Sequence, residues 1–216
     1  MTMIAVFDLD GTLVDSAPDL HSALDRLMAH RSLPGFQRQE VVAMIGDGAK
    51  VLVERALASR GQPFDQPALD SFLEDYSANA AVDTTTFDGI PAALDAIEAA
   101  GWRLAVCTNK PVVPARSVLA DIGLGGRFAY IGGGDSYPTR KPDPAHLLAT
   151  LRDAGGGPAK AVMVGDHHND MAAASGAGVP AIFAGWGYGP LAMAAGAPVA
   201  TRPSDLPALL ARFRHR

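Results

Sequence analysis

From residue 88 onward, short apolar runs alternate with helical stretches, and this alternation narrows the possible folds more than any other feature of the chain. The spacing predicts helices over 90–100, 114–122, 144–154 and about 204–213, with a shorter helical stretch at 171–175. Between them, residues 103–107, 128–131, 161–164 and 180–183 read as strands, and residues 3–6 read as an earlier strand near the amino terminus. Gly101, Gly123 and the loop 155–158 supply the stops. Strands separated by helices need crossover connections, and crossovers cover both faces of a mostly parallel sheet. The expected fold is α/β, with a Rossmann-like, mostly parallel sheet core.

Between the first strand and residue 86 the pattern is different. Leu20, Ala23, Leu24 and Leu27 share one helical face, and Val41, Val42 and Ile45 suggest a second helix. Ala49, Leu52, Val53, Ala56 and Leu57 suggest a third, and Leu69, Phe72, Leu73 and Tyr76 a fourth. Breaks fall at 33–35, 46–48 and 61–63. No convincing strand interrupts this stretch. The expected division is a core of residues 1–15 and 87–216, with a small all-helical cap, 16–86, inserted after the first strand.

In sheets of this kind, ligands bind beyond the carboxyl ends of the strands. After the first strand come Asp8 and Asp10, after the second Thr108, Asn109 and Lys110. The third leads to Asp135 and then Lys141, and the fourth to Asp166, His167, His168, Asn169 and Asp170. Residues i and i+2 of a strand face one side, so Asp8 and Asp10 can converge. Two converging carboxylates suit a hard cation. They also suit covalent chemistry, with one acid as nucleophile and the other as proton carrier. A charged turn closing a hairpin would explain Asp10 and Gly11, but not an acid so soon after an apolar run. Asp166 can complete a cation site with Asp8 and a backbone carbonyl near Asp10. Asp170, one helical turn further, can brace it. Thr108 and Asn109 offer neutral donors to phosphate oxygens. Lys141 offers a fixed positive charge that, with Mg²⁺, offsets repulsion between a carboxylate and an anionic phosphate. Each of these residues alone has a structural explanation as a cap or a solvated side chain. All four strand ends would have to share that explanation by coincidence.

Composition removes several classes of function. The net charge is -5, with 23 acids against 18 bases and no basic run, which speaks against a nucleic-acid partner. No apolar stretch approaches the roughly 20 residues of a membrane span. No basic leader precedes the first apolar run. The single cysteine, Cys107, cannot form an internal disulfide and reads as core packing before Thr108. The expectation is a soluble, cytoplasmic protein with no nucleic-acid or membrane partner. The sequence leaves its oligomeric state open.

Over essentially its whole length, the chain resembles the haloacid dehalogenase-like (HAD) hydrolase superfamily. The pattern D-x-D-G-T-L-x-D-S is present from Asp8 to Ser16, and Thr108 matches the Thr or Ser that ends the next strand. Lys141 to Pro144 matches K-P-x-P, and Gly165 to Asp170 matches G-D-x-x-x-D. The resemblance implies that Asp8 attacks phosphorus, and that Asp10 protonates the leaving oxygen and then activates water. It also implies Mg²⁺ held by Asp8, Asp166 and the Asp10 main-chain carbonyl, with Thr108, Asn109 and Lys141 on the phosphoryl group. Residues 45–57, 133–142 and 185–189 are similar to segments of bacterial phosphoglycolate phosphatases. The first of these opens on Gly46 and Gly48, where free backbone N–H groups favour a small anion such as a carboxylate. Lys50 or Arg55 can add charge there, although Arg55 reads equally well as solvated. His167 and His168 depart from the usual pattern. His167 is a donor to a metal-bound carboxylate, an extra ligand, or simply solvated. The function so implied is Mg²⁺-dependent hydrolysis of a small phosphomonoester, with 2-phosphoglycolate first. Alternatives are a relaxed sugar-phosphate or nucleotide phosphatase, a pyrophosphatase, or a non-enzymatic phosphate sensor. Asp10 speaks against the sensor, since binding alone does not need it.

Overall fold

The run Ile4–Phe7 forms β1, and its four residues are at most 1% exposed. A strand buried on both faces has no polar alternation, and here Ile4 and Val6 point to one face while Ala5 and Phe7 point to the other. Burying each large side chain contributes about 1.5–3 kcal/mol, so this short strand anchors the sheet. The structure, a computed structural model, describes residues 2–214.

In chain order, β1 is followed by the two-residue β2 (Val14–Asp15) and four helices: α1 (Ala17–His30), α2 (Arg38–Val42), α3 (Ala49–Ser59) and α4 (Gln66–Ala78). Then come β3 (Thr85–Thr86), α5 (Ile90–Ala99), β4 (Arg103–Cys107), α6 (Val112–Asp121) and β5 (Phe128–Gly132). The chain continues with α7 (Pro144–Asp153), β6 (Ala161–Gly165), α8 (His168–Ala177), β7 (Ala181–Ala184), β8 (Val199–Ala200) and α9 (Leu206–Ala211). Six strands form one sheet in the order β5-β4-β1-β6-β7-β8, and every pairing in it is parallel. From β1 the chain winds outward through β4 and β5, then returns to β6 and winds the other way. The carboxyl end of β1 is therefore the point where the winding reverses, and a crevice opens there.

One face of the sheet packs on a large cluster that includes Leu94 of α5, Val118 of α6 and Leu210 of α9, and continues into the helical insert. The other face packs on Leu147 and Leu151 of α7 and Ala173 and Ala174 of α8. The expected strands and helices are present with small shifts. α8 begins at His168, where Asp170 closes a capping box on His167, and it contains the expected helical residues 171–175. β2, β3 and β8 were not expected, since two-residue strands are too short to show periodicity. β2 and β3 pair antiparallel at the root of the insert. The buried Asp19 of α1 reinforces that root, accepting from the Asp83 N–H, the Thr84 N–H and the Thr84 hydroxyl.

Candidate active site

Asp8 leaves the end of β1 with its carboxylate almost fully buried. Its Oδ1 accepts the Leu9 N–H at 2.7 Å and lies 2.9 Å from Lys141 Nζ. The Lys141 ammonium also donates to Asp170 Oδ1 at 2.6 Å, so one buried cation is shared by two carboxylates. Burial pushes Asp8 up to about 6, against the pull of Lys141. Asp166, across the crevice at the end of β6, is pushed up to about 7 by burial and by Asp170 and Asp8. Lys141 moves the other way: burial disfavours its charge, but Asp170 and Asp8 outweigh burial and hold it well above the usual lysine range.

Ligand oxygens of Asp8, Asp166 and Asp170 lie within 4.8 Å of one another. Hard, buried oxygen donors crowded this closely fit a divalent cation, whose charge offsets the burial and the mutual repulsion that raise Asp8 and Asp166. The set can hold a divalent metal ion. Asp166 is already oriented for such a role. Its Oδ1 accepts the Thr12 hydroxyl at 2.9 Å, and its Oδ2 accepts the Tyr188 N–H at 2.8 Å. The carboxylate of Asp10 turns the other way, toward Lys110 Nζ at 2.9 Å.

Asp8, Asp10, Thr108 and Asn109 line one cavity with Gly46 and Gly48 of the insert. Leu20, Ile45, Leu52, Phe72 and Tyr76 complete its wall. Gly46 and Gly48 have φ of +122° and +87°, which only glycine adopts readily, and a Cβ on Gly46 would meet the His167 ring at 2.8 Å. The turn they form is tied to the core. The Gly46 carbonyl accepts from Asn109 Nδ2 at 3.1 Å and from Asn169 Nδ2 at 3.2 Å.

Three expected roles meet different surroundings. Asn109, expected to donate to phosphate, uses its side-chain N–H groups on the Gly46 and Lys141 carbonyls. Lys50, expected beside the substrate, is outside the cavity: its ammonium lies 3.7 Å from Glu54 and over the Phe64 ring. Arg55 pairs with Asp47 at 2.6 Å and donates to the Met44 carbonyl, holding the turn in shape. His167 caps α8 through Nδ1, and burial pulls its imidazole below the usual range. His168 is exposed. Cys107 is buried, and burial pushes its thiol up to about 12, as packing requires.

Sequence reasoning assigned no role to Lys110 or to the loop 185–189. Lys110 was visible as a polar residue at a strand end. Its partner Tyr76 belongs to the insert, and no spacing rule connects the two. The glycine content of the loop was visible too, but not that Gly187 lies where a Cβ would meet Asp166 Cβ at 2.3 Å.

A carboxylate at the reversal point of a parallel sheet, faced by a buried ammonium and an acidic metal-binding set, is equipped for phosphoryl transfer to the protein itself. Such an arrangement suits a hydrolase of phosphate esters. The chain belongs to the haloacid dehalogenase-like hydrolase family, whose model matches residues 2–178. It is 40% identical over 192 residues to a phosphoglycolate phosphatase of Agrobacterium fabrum, covering 87% of this chain and 82% of that one. It is 44% identical over 178 residues to one from Cereibacter sphaeroides, covering 81% of each. Among solved structures, a predicted phosphoglycolate phosphatase from Haemophilus somnus superposes with a TM-score of 0.88 at 29% identity, covering 97% of this chain and 98% of that one. CbbY from Rhodobacter sphaeroides, in complex with xylulose-(1,5)bisphosphate, superposes with a TM-score of 0.81 at 25% identity, covering 95% and 96%. With these relatives, the chain is a phosphoric monoester hydrolase. Among the described residues, no helix is long and apolar enough to cross a membrane.

Proposed function

We propose that the chain is a Mg²⁺-dependent, cytoplasmic phosphatase that hydrolyses 2-phosphoglycolate through a phosphoaspartyl intermediate. Residues 1–15 and 87–216 act as the core, and 16–86 act as a cap over it. The observation that carries this reading is the cavity that Asp8 and Asp10 share with the apolar wall of the insert, since it suits a small anionic ester and its exclusion from water.

In the first step, an Asp8 carboxylate oxygen forms a bond to phosphorus while the bond from phosphorus to the leaving oxygen breaks. Asp10 gives that oxygen its proton, and glycolate departs as a neutral alcohol at that end. In the second step, Asp10 takes a proton from water as the water oxygen bonds to phosphorus. The bond to Asp8 then breaks and phosphate is released. Lys141 and the Thr108 hydroxyl hold the phosphoryl oxygens, and Asp170 keeps Lys141 in place. Mg²⁺, held by Asp8, Asp166 and the Asp10 carbonyl, would supply the positive charge that lets an anionic nucleophile approach an anionic ester. Gly46 and Gly48 close the cavity from the cap side.

The test is phosphate release with Mg²⁺ across 2-phosphoglycolate, sugar phosphates including xylulose-(1,5)bisphosphate, nucleoside monophosphates and pyrophosphate. The expected result is the highest kcat/KM for 2-phosphoglycolate, with turnover abolished in Asp8→Asn. A flat profile abolished by the same variant would keep the mechanism and reject the substrate. Turnover surviving Asp8→Asn would reject Asp8 as nucleophile.

A further inference from the structure

Lys110 is the only cationic side chain among the described residues that line the active-site cavity. It is 5% exposed, follows Thr108 and Asn109 at the end of β4, and reaches Asp10 Oδ1 at 2.9 Å. From the insert, the Tyr76 hydroxyl accepts a hydrogen bond from the same ammonium. Asp10 is its counter-ion in this structure, but the reaction also draws on that carboxylate, and the phenol is neutral. An ammonium is otherwise kept out of so buried a place, because burial without full pairing is costly.

We propose that Lys110 is the residue that binds the carboxylate of the leaving group and so sets the preference of this site for a phosphorylated short acid. The inference rests on the 2-phosphoglycolate reading above. It follows from where the leaving group must sit. The ester oxygen has to lie within hydrogen-bond reach of Asp10 to receive its proton. In glycolate, the carboxyl carbon is only two bonds from that oxygen. An anion so close to Asp10 meets the ammonium already bonded to Asp10. Tyr76 adds a second donor there, since a phenol that accepts from Lys110 still has its own O–H to give. A longer leaving group would instead carry its polar groups past Lys110, against Leu52 and Phe72. Of the basic residues on the cap turn and α3, Lys50 is turned toward Glu54 and Arg55 toward Asp47, and Arg140, whose guanidinium lies near Gly48, is not part of the cavity lining.

The experiment compares kcat/KM for 2-phosphoglycolate and for ethyl phosphate, which has the same carbon count and no carboxylate, in wild type, Lys110→Gln, Lys110→Arg and Tyr76→Phe. Wild type is expected to prefer 2-phosphoglycolate. In Lys110→Gln, the ratio of the two kcat/KM values should fall by about 100-fold. Lys110→Arg should restore part of the ratio, and Tyr76→Phe should lower it less, mainly through KM. Tyr76→Phe removes only an oxygen, so it reads the same subsite if Lys110→Gln fails to fold. A purely structural role for Lys110, or one limited to supporting Asp10, would lower both substrates together and leave the ratio intact. That outcome, or a ratio unmoved in both Lys110→Gln and Tyr76→Phe, overturns the proposal while leaving the substrate reading standing. A wild type that handles both substrates equally overturns the substrate reading, and the proposal with it.

Discussion

His146 lies fully buried behind Lys141, where its Nδ1 accepts the Lys141 backbone N–H at 3.2 Å. Burial, with the Lys141 charge added, pulls its imidazole down from 6.5 to about 4. In the unfolded chain the ring takes up a proton as pH falls through 6.5, whereas the folded ring stays neutral until about 4. The unfolded state therefore binds more protons across that window, and stability falls as pH is lowered through it. Fully developed, the loss is about 3 kcal/mol from this one residue. His146→Asn keeps an acceptor for the Lys141 N–H but cannot be protonated. Urea unfolding at pH 7.5 and pH 4.5 should show the variant losing less stability on acidification than wild type. Equal losses would mean that the ring titrates alike in both states, and that Lys141 does not act on it.

At the scale of elements, the loop 185–189 after β7 does more for Asp166 than the helix that follows it in sequence. Tyr188 and Gly189 donate backbone N–H groups to Asp166 Oδ2 at 2.8 and 3.3 Å. Trp186 Nε1 donates to the Thr12 carbonyl at 3.0 Å, and the Tyr188 hydroxyl donates to Asp15 at 2.7 Å, so the same loop grips the first motif. Gly187 sits in the middle, where a Cβ would lie 2.3 Å from both Asp166 Cβ and the Gly11 carbonyl. Gly187→Ala must push the loop off Asp166, and loss of such orienting contacts typically costs 10–100-fold in metal affinity. The half-saturating Mg²⁺ concentration for turnover should rise by about that factor. An unchanged Mg²⁺ dependence would show that Asp166 holds its orientation without the loop. This contact also marks the limit of what the sequence made legible. The residues at each strand end were readable because a buried apolar run and its polar terminus are adjacent in the chain. Asp8, Thr108 and Asp166 needed only the rule that such termini share one rim, while Lys141, nine residues past the end of β5, was marked by its K-P-x-P pattern. Trp186 and Thr12 are 174 positions apart, and the absence of room for a Cβ at Gly187 is a property of packing alone. Lys110 was missed for the same reason, since its significance depends on Tyr76 arriving from an insert whose orientation the helical spacing leaves undetermined.

At the scale of the molecule, the insert meets the core by two routes of different strength. At its root, β2 of the core pairs with β3 of the insert through backbone hydrogen bonds, and the buried Asp19 carboxylate fastens the two ends of the insert to each other. Across the cavity mouth, α4 packs against α6, and few polar bonds are added. The Gly46 carbonyl accepts from Asn109 and Asn169, the Asp47 carboxylate accepts from Asn169 Nδ2 at 2.6 Å, and Tyr76 meets Lys110. Such bonds contribute about 0.5–1.5 kcal/mol each, and the expectation is that the mouth opens without unfolding of the insert, with the root as hinge. Substrate has to pass this mouth, because the cavity lies between the two parts. Asn169→Ala removes two of the bonds on the cap turn but leaves Asn109 on Gly46. The closed-to-open ratio should fall by about 5–150-fold, the range that two such bonds carry. KM for substrate should rise accordingly, with a smaller change in kcat, because the reacting groups on the core are untouched. Small-angle scattering gives the independent reading: wild type should contract on adding Mg²⁺ with a phosphate-mimicking fluoride, and Asn169→Ala should need more of that ligand to contract as far. Identical scattering with and without the ligand would mean that the insert is fixed. The Asn169 bonds would then be part of a static wall, and access to Asp8 would have to come through motions of side chains alone.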